Sequence, residues 1–180
     1  MRTHLLDSAL RVFAQKGFEG ASIRDIATEA RVASGLLYHY FPSKQVVLRA
    51  LFERSAGLVM QAFSEVAGIA DPGEKLTSLL RVSARLVREN EDFWRVSYGV
   101  RFQHAVLADL ESAIGSQSTV YIALFTELLT ALGRPDPSLE ARLLFATLDG
   151  VFQHYVLDPR DYPLDAALEH IVRQYTGGQP

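Results

Sequence analysis

Residues 22–41 constrain this chain more than any other segment. Ser22-Ile23-Arg24-Asp25 reads as a capping box, with the serine hydroxyl accepting from the third amide and the carboxylate reaching back. The short helix it opens turns Ile23, Ile26 and Ala30 to one side and runs to about Ala30. A break at Arg31-Val32-Ala33 precedes a second short helix, ending at Tyr38 or Tyr40, with Leu37 and Tyr40 facing inward and Phe41 in the core. Ala27 lies where the two axes come closest, and a small residue there allows a steep crossing. This spacing is that of a helix-turn-helix, whose second helix enters the major groove of a duplex. An apolar helical hairpin with a purely structural role satisfies part of the same pattern.

The rest of the chain is written in the helical period. Leu6, Leu10 and Phe13 recur at i, i+4 and i+7, and Gly17 ends that helix so that Phe18 can fold back. A fourth helix runs over 43–67, and Asp71-Pro72-Gly73-Glu74 caps a fifth with stripe Leu76, Leu79, Leu80, Ser83, Leu86 and Val87. Residues 92–117 read as broken helix, followed by helices over 119–132, 138–157 and 164–175. No alternating strand pattern and no repeat is present, so the fold class is all-α. The last residues, 176–180, have nothing to pack and should fray.

Charge separates along the 180-residue chain. The total is −3, but residues 1–54 carry 8 basic and 5 acidic side chains, and the remainder carries 10 and 16. A basic head on an acidic body suits a nucleic-acid-facing module joined to a separate domain. The absence of cysteine excludes disulfides, thiolate metal sites and cysteine nucleophiles. No run approaches the roughly 18 apolar residues of a membrane span, and no secretory signal is legible, so the expectation is a cytoplasmic protein without membrane contact.

Lys16-Gly17-Phe18, Ser22-Ile23-Arg24-Asp25-Ile26-Ala27 and Gly35-Leu36-Leu37-Tyr38-His39-Tyr40-Phe41-Pro42-Ser43-Lys44 together resemble the N-terminal domain of TetR-family transcriptional regulators. Leu148-Asp149-Gly150 and Leu157-Asp158-Pro159 resemble the penultimate helix of many members. The resemblance implies a three-helix DNA-binding domain over residues 1–47 and a helical ligand-binding and dimerisation domain over 48–180. It implies a homodimer that acts as a repressor on a near-palindromic double-stranded operator and is released by a small, largely apolar or aromatic effector. No cofactor is implied.

The DNA contacts implied are Arg24, Arg31, Ser34, Gly35, Leu36, Tyr38, His39 and Lys44. Lys44 and the free amides of its helix would hold a flanking phosphate. Three positions depart from the family's habit. Arg31 stands where glycine is usual, at about 1 kcal/mol if its backbone is left-handed, and a phosphate contact would offset that. Ala33 replaces a hydroxyl cap, and Ser34 could take over. Leu36 replaces a hydroxyl contact and can meet only apolar groups such as a thymine methyl.

In the body, nine of the eighteen aromatic residues lie between 93 and 155. The effector would be lined by Trp94, Tyr98, Phe102, His104, Tyr121, Phe125 and Phe152, with Gln103 and His154 as further polar groups. Residues 138–157 are apolar over most of the helix circumference, which calls for a partner beyond their own core. The expected dimer surface is Leu148, Gly150, Val151, Tyr155, Leu168, Ile171, Val172 and Tyr175. The rival classes are a protein-interaction module and a small helical enzyme. Against the enzyme, the chain has no Gly-rich phosphate loop, no G-x-S-x-G and no H-E-x-x-H. His154 and Asp158, four apart, read more readily as a solvated pair than as metal ligands.

Overall fold

The computed structural model describes residues 1–101 and 103–177, and the side chains of all of these except 104–117. Among the described residues the chain is helical throughout: α1 (Arg2–Gly20), α2 (Ile23–Glu29), α3 (Ser34–Tyr40), α4 (Lys44–Val66), α5 (Pro72–Glu89), α6 (Glu91–Val100), α7 (His104–Ala131), α8 (Pro137–Leu157) and α9 (Leu164–Thr176). None of the helices is long and apolar enough to cross a membrane.

The helix ends follow from local chemistry. Gly17 takes φ 71° and kinks α1, and the Phe18 ring returns to 5.3 Å from Phe13. Asp71 accepts from the Glu74 amide at 2.7 Å, and Asp136 from the Leu139 amide at 3.1 Å, so both proline-led helices are capped. At the end of α7 the Arg134 and Gly133 amides donate to the Leu129 and Thr130 carbonyls, with Gly133 at φ 72°. That is a Schellman motif with glycine in its left-handed position. The broken stretch expected over 92–117 resolves into α6 and the start of a longer α7, which continues through the helix expected from Thr119.

The chain forms two compact units, Met1–Ala56 with Asn90–Ile114, and Gly57–Glu89 with Gly115–Pro180. In the first, Leu5, Leu6, Ala9 and Phe13 of α1 pack with Ile26, Leu37, Phe41, Val47, Leu48 and Phe52. Helix α6 belongs here because Phe93, Val96 and Val100 enter the same core, with Phe93 edge-on to Phe52 at 5.2 Å. In the second, α5 buries Leu76, Leu79, Leu80, Ala84 and Val87 and packs against α8 and α9. Each fully buried leucine contributes roughly 1.5–3 kcal/mol, so both units rest on apolar packing. Helix α4 runs unbroken through the division at Ala56 and Gly57.

Candidate nucleic-acid interface

The hairpin of α2 and α3 is built from its caps inward. Ser22 accepts from the Asp25 amide at 3.2 Å, and Asp25 accepts from the Ser22 amide at 2.9 Å, completing the box. Lys16 adds an ion pair to Asp25 at 2.6 Å. Its hydrogen bond, with those from Ser22, holds the Asp25 carboxyl at about 2, below the ordinary 3.8, so the box is charged near neutrality. Ile26, Ala27 and Leu37 are buried where the helices meet, and Val32 packs on the same core from the turn.

The turn carries the one left-handed non-glycine residue among those described. Arg31 has φ 55°. Its amide donates to the Thr28 carbonyl and that of Val32 to the Ala27 carbonyl, both at 3.0 Å. This is the same Schellman arrangement that ends α7, but with arginine at the position where α7 has glycine. The left-handed backbone costs a residue with a Cβ roughly 1–2 kcal/mol. The His4 Nε2 lies 3.0 Å from the Ala30 carbonyl and ties α1 to the same corner.

Helix α3 starts without a side-chain cap at Ala33, and Ser34 makes no substitute bond. It turns Leu37 inward and leaves Gly35, Leu36, Tyr38, His39 and Tyr40 exposed, with Ser34 half-buried. Tyr38 is 52% exposed. Tyr40 departs from its expected inward place: it is 39% exposed, with its ring edge-on to His39 at 5.5 Å, because Phe41 takes the inward position at the helix end. The outer face of α3 therefore presents three consecutive aromatic side chains.

The cations of the head divide sharply. Arg11 pairs with Glu29 at 2.7 Å, and Arg54 with Asp7 at 2.6 Å. The Arg2 guanidinium lies 5.4 Å from the centre of the Phe41 ring. Lys44, expected on a phosphate, donates instead to the Phe18 and Glu19 carbonyls at 2.9 and 3.2 Å and stands 4.6 Å from the Phe18 ring centre. It caps the end of α1 from the first turn of α4. Arg24 and Arg31 are exposed, and among the described residues neither has an ion-pair or hydrogen-bond partner.

The expected effector residues fall in both units. Trp94 packs against the first unit's core, and Tyr98 stands 6.0 Å from its ring with Arg101 over its face. Phe102, and the side chain of His104, lie outside the described residues. Gln103 donates from its amide to the Gly99 carbonyl, and its buried Oε1 has no partner among the described residues. In the second unit Tyr121 meets Phe63 edge-on at 4.7 Å and lies 5.9 and 6.1 Å from Phe125 and Phe145. Burial pushes the Tyr121 hydroxyl up from its ordinary pKa, although a hydrogen bond with Ser83 opposes the shift. Phe152 is buried. The His154 ring stacks on Tyr162 at 6.2 Å, while Asp158 accepts from the Asp161 amide.

The residues expected at the dimer surface divide by their burial within the single chain. Leu148, Tyr155, Leu168, Ile171 and Tyr175 are buried within the single chain, and Gly150, Val151 and Val172 are half-buried. The outer side of α8 instead exposes Leu139, Leu143, Ala146 and Leu157, with Leu143 53% and Leu157 71% exposed. Gly150 continues that stripe, and a Cβ there would meet nothing within 4 Å.

A helical hairpin whose second helix offers an exposed aromatic face beside unpaired cations defines a helix-turn-helix protein of the DNA-binding class. Residues 5–51 match the pattern described as "Bacterial regulatory proteins, tetR family", and residues 70–178 match "Tetracyclin repressor-like, C-terminal domain". The chain therefore belongs to the TetR family of transcriptional regulators, a family of regulators and not of enzymes. It is 28% identical to the HTH-type transcriptional regulator PksA of Bacillus subtilis, over 88% of this chain and 80% of that protein. Its fold is that of the fatty acid degradation regulator FadR from Bacillus halodurans (TM-score 0.84, 23% identity, all of both chains). It is equally similar in fold to FadR from Bacillus subtilis, solved in complex with stearoyl-CoA (TM-score 0.84, 19% identity, all of both chains).

Proposed function

We propose that this chain is a cytoplasmic, dimeric repressor that holds two α3 helices in successive major grooves of a near-palindromic operator and is released by an acyl thioester of coenzyme A. The observation that carries the DNA reading is the outer face of α3, where Tyr38, His39 and Tyr40 have no packing role in the head's core. Tyr38 and His39 supply hydrogen-bonding groups for base edges and phosphates, and Leu36 an apolar contact for a thymine methyl. Gly35, where a Cβ would meet nothing in the chain, leaves room for close approach of the duplex beside Ser34. Arg24 serves a phosphate. Lys44 acts by holding α1 to α4, and the Lys44 and Gln45 amides, ahead of the Val46 amide that Ser43 caps, serve the flanking phosphate.

Dimerisation uses the outer stripe of α8, the exposed Leu139, Leu143, Ala146 and Leu157 with the half-buried Gly150, and α9 completes a four-helix interface across a two-fold axis. Val151 and Val172 contribute at its edge, while the buried Leu148, Tyr155, Leu168, Ile171 and Tyr175 support it from within.

The effector class rests on the stearoyl-CoA bound to one fold relative and on the aromatic cluster Phe63, Tyr121, Phe125 and Phe145, an apolar environment suited to an acyl chain. Phe152 lines the same unit. Helix α4 contributes Val47, Leu48 and Phe52 to the head's core and Val59 and Ala62 to the second unit, so a shift of α4 on ligand binding is transmitted to the head. Moving the heads from the spacing of roughly 34–36 Å that successive major grooves require would release one half-site. The test is titration of the protein–duplex complex, formed on a duplex selected from random sequence, with stearoyl-CoA and separately with free coenzyme A. The thioester should dissociate the complex and coenzyme A should not. A complex stable to stearoyl-CoA would reject the effector class.

A further inference from the structure

We infer that Arg31, in the turn between α2 and α3, is a sequence-independent phosphate clamp that sets how tightly the head binds any duplex, and not which duplex it prefers. The inference rests on the duplex-binding reading above and deepens it. Three observations carry it. First, Arg31 occupies a left-handed backbone position, φ 55°, which the Schellman bonds from its own amide and that of Val32 require. The chain meets the same requirement at the end of α7 with Gly133, at φ 72°, so glycine is the unstrained solution this protein itself uses. Second, the arginine gains nothing inside the chain to offset its backbone. It is exposed, and among the described residues no carboxylate, carbonyl or aromatic ring receives its guanidinium.

Third, it differs in this from most of its neighbours. Arg11, Lys16 and Arg54 face carboxylates, Lys44 faces carbonyls and Arg2 faces Phe41. Strain retained at an exposed residue of a functional element points to a use outside the folded chain. A guanidinium at a turn, two residues before the cap of the recognition helix, suits the bidentate, base-independent recognition of a phosphate.

The test compares the wild-type chain with Arg31→Gly, Arg31→Gln and Arg31→Lys. The probes are the duplex that the wild type selects from random sequence and a duplex of scrambled sequence, each measured from low to high salt. Arg31→Gly should match or exceed the wild type in thermal midpoint, since glycine enters the left-handed region freely. The glycine and glutamine variants should both weaken binding by roughly tenfold for each phosphate clamp removed, equally on the two duplexes. The slope of log affinity against log salt should flatten by about 0.9 for each bound copy, and Arg31→Lys should keep the slope. Wild-type affinity and slope in Arg31→Gly would overturn the inference, as would a change confined to the preference between duplexes. A wild type that selects no duplex at all would overturn the duplex-binding reading, and this inference with it.

Discussion

At the scale of single residues, the head shows how a cation's partners decide its role. Lys16 and Lys44 are both lysines near the end of α1, yet one holds a carboxylate of the capping box and the other holds carbonyls. Lys44 is therefore expected to behave as a strut. Lys44→Met should lower unfolding free energy by about 1–2 kcal/mol, the range for hydrogen bonds from a charged donor at a partly exposed site, measured by denaturant titration. Its salt slope for duplex binding should equal that of the wild type. A slope flatter by about 0.9 per bound copy would instead make Lys44 a phosphate contact. A lysine at a helix start suggests a phosphate site, which is why the local pattern points there. Its hydrogen-bond partners within the chain lie 23–26 residues earlier, a tertiary relation that no local pattern records. The left-handed backbone of Arg31 was in view only as a condition, through the glycine usual at that position in the family, and the structure gives it φ 55°.

At the scale of elements, periodicity served well wherever a helix has one buried face and poorly where it has two. Helix α5 buries the single stripe that its spacing predicts, whereas α9 turns inward Leu168, Ile171 and Tyr175, residues expected on the dimer surface. Helix α8 is apolar nearly all round, so its sequence does not separate the face used by its own core from the face left outside. The structure draws that line: Leu144, Leu148, Phe152 and Tyr155 go inward, and Leu139, Leu143 and Leu157 stay out. Tyr40 failed for a related reason, since Tyr40 and Phe41 are both one turn from Leu37 and only one of them fits inside. Leu143→Glu should change the stability of the single chain by no more than about 0.5 kcal/mol, as for an ordinary surface substitution, yet dissociate the dimer in sedimentation. A dimer of wild-type strength in that variant would remove the α8 stripe from the interface.

At the scale of the whole molecule, the charge split along the chain does not follow the two compact units, because the first unit takes in residues 90–114 as well. The first unit holds the hairpin and the unpaired arginines, and the second holds the aromatic cluster and the outward stripe of α8. Periodicity left open the membership of α6, which joins the head's core through Phe93, Val96 and Val100 although it lies after α5 in the chain. Such long-range packing depends on which apolar faces meet, and an amphipathic pattern does not name its partner. Every role proposed for the two units depends on the exposed face of α3 reading DNA. Duplex binding by Tyr38→Ala/His39→Ala beside the wild type, followed by anisotropy on the selected duplex and on a scrambled one, decides whether it does. The wild type should bind the selected duplex more tightly, with affinity falling steeply as salt rises. The double variant, still folded and dimeric because both side chains lie outside the core, should lose that preference by tenfold or more. Wild-type affinity and preference in the double variant would show that α3 does not read the duplex.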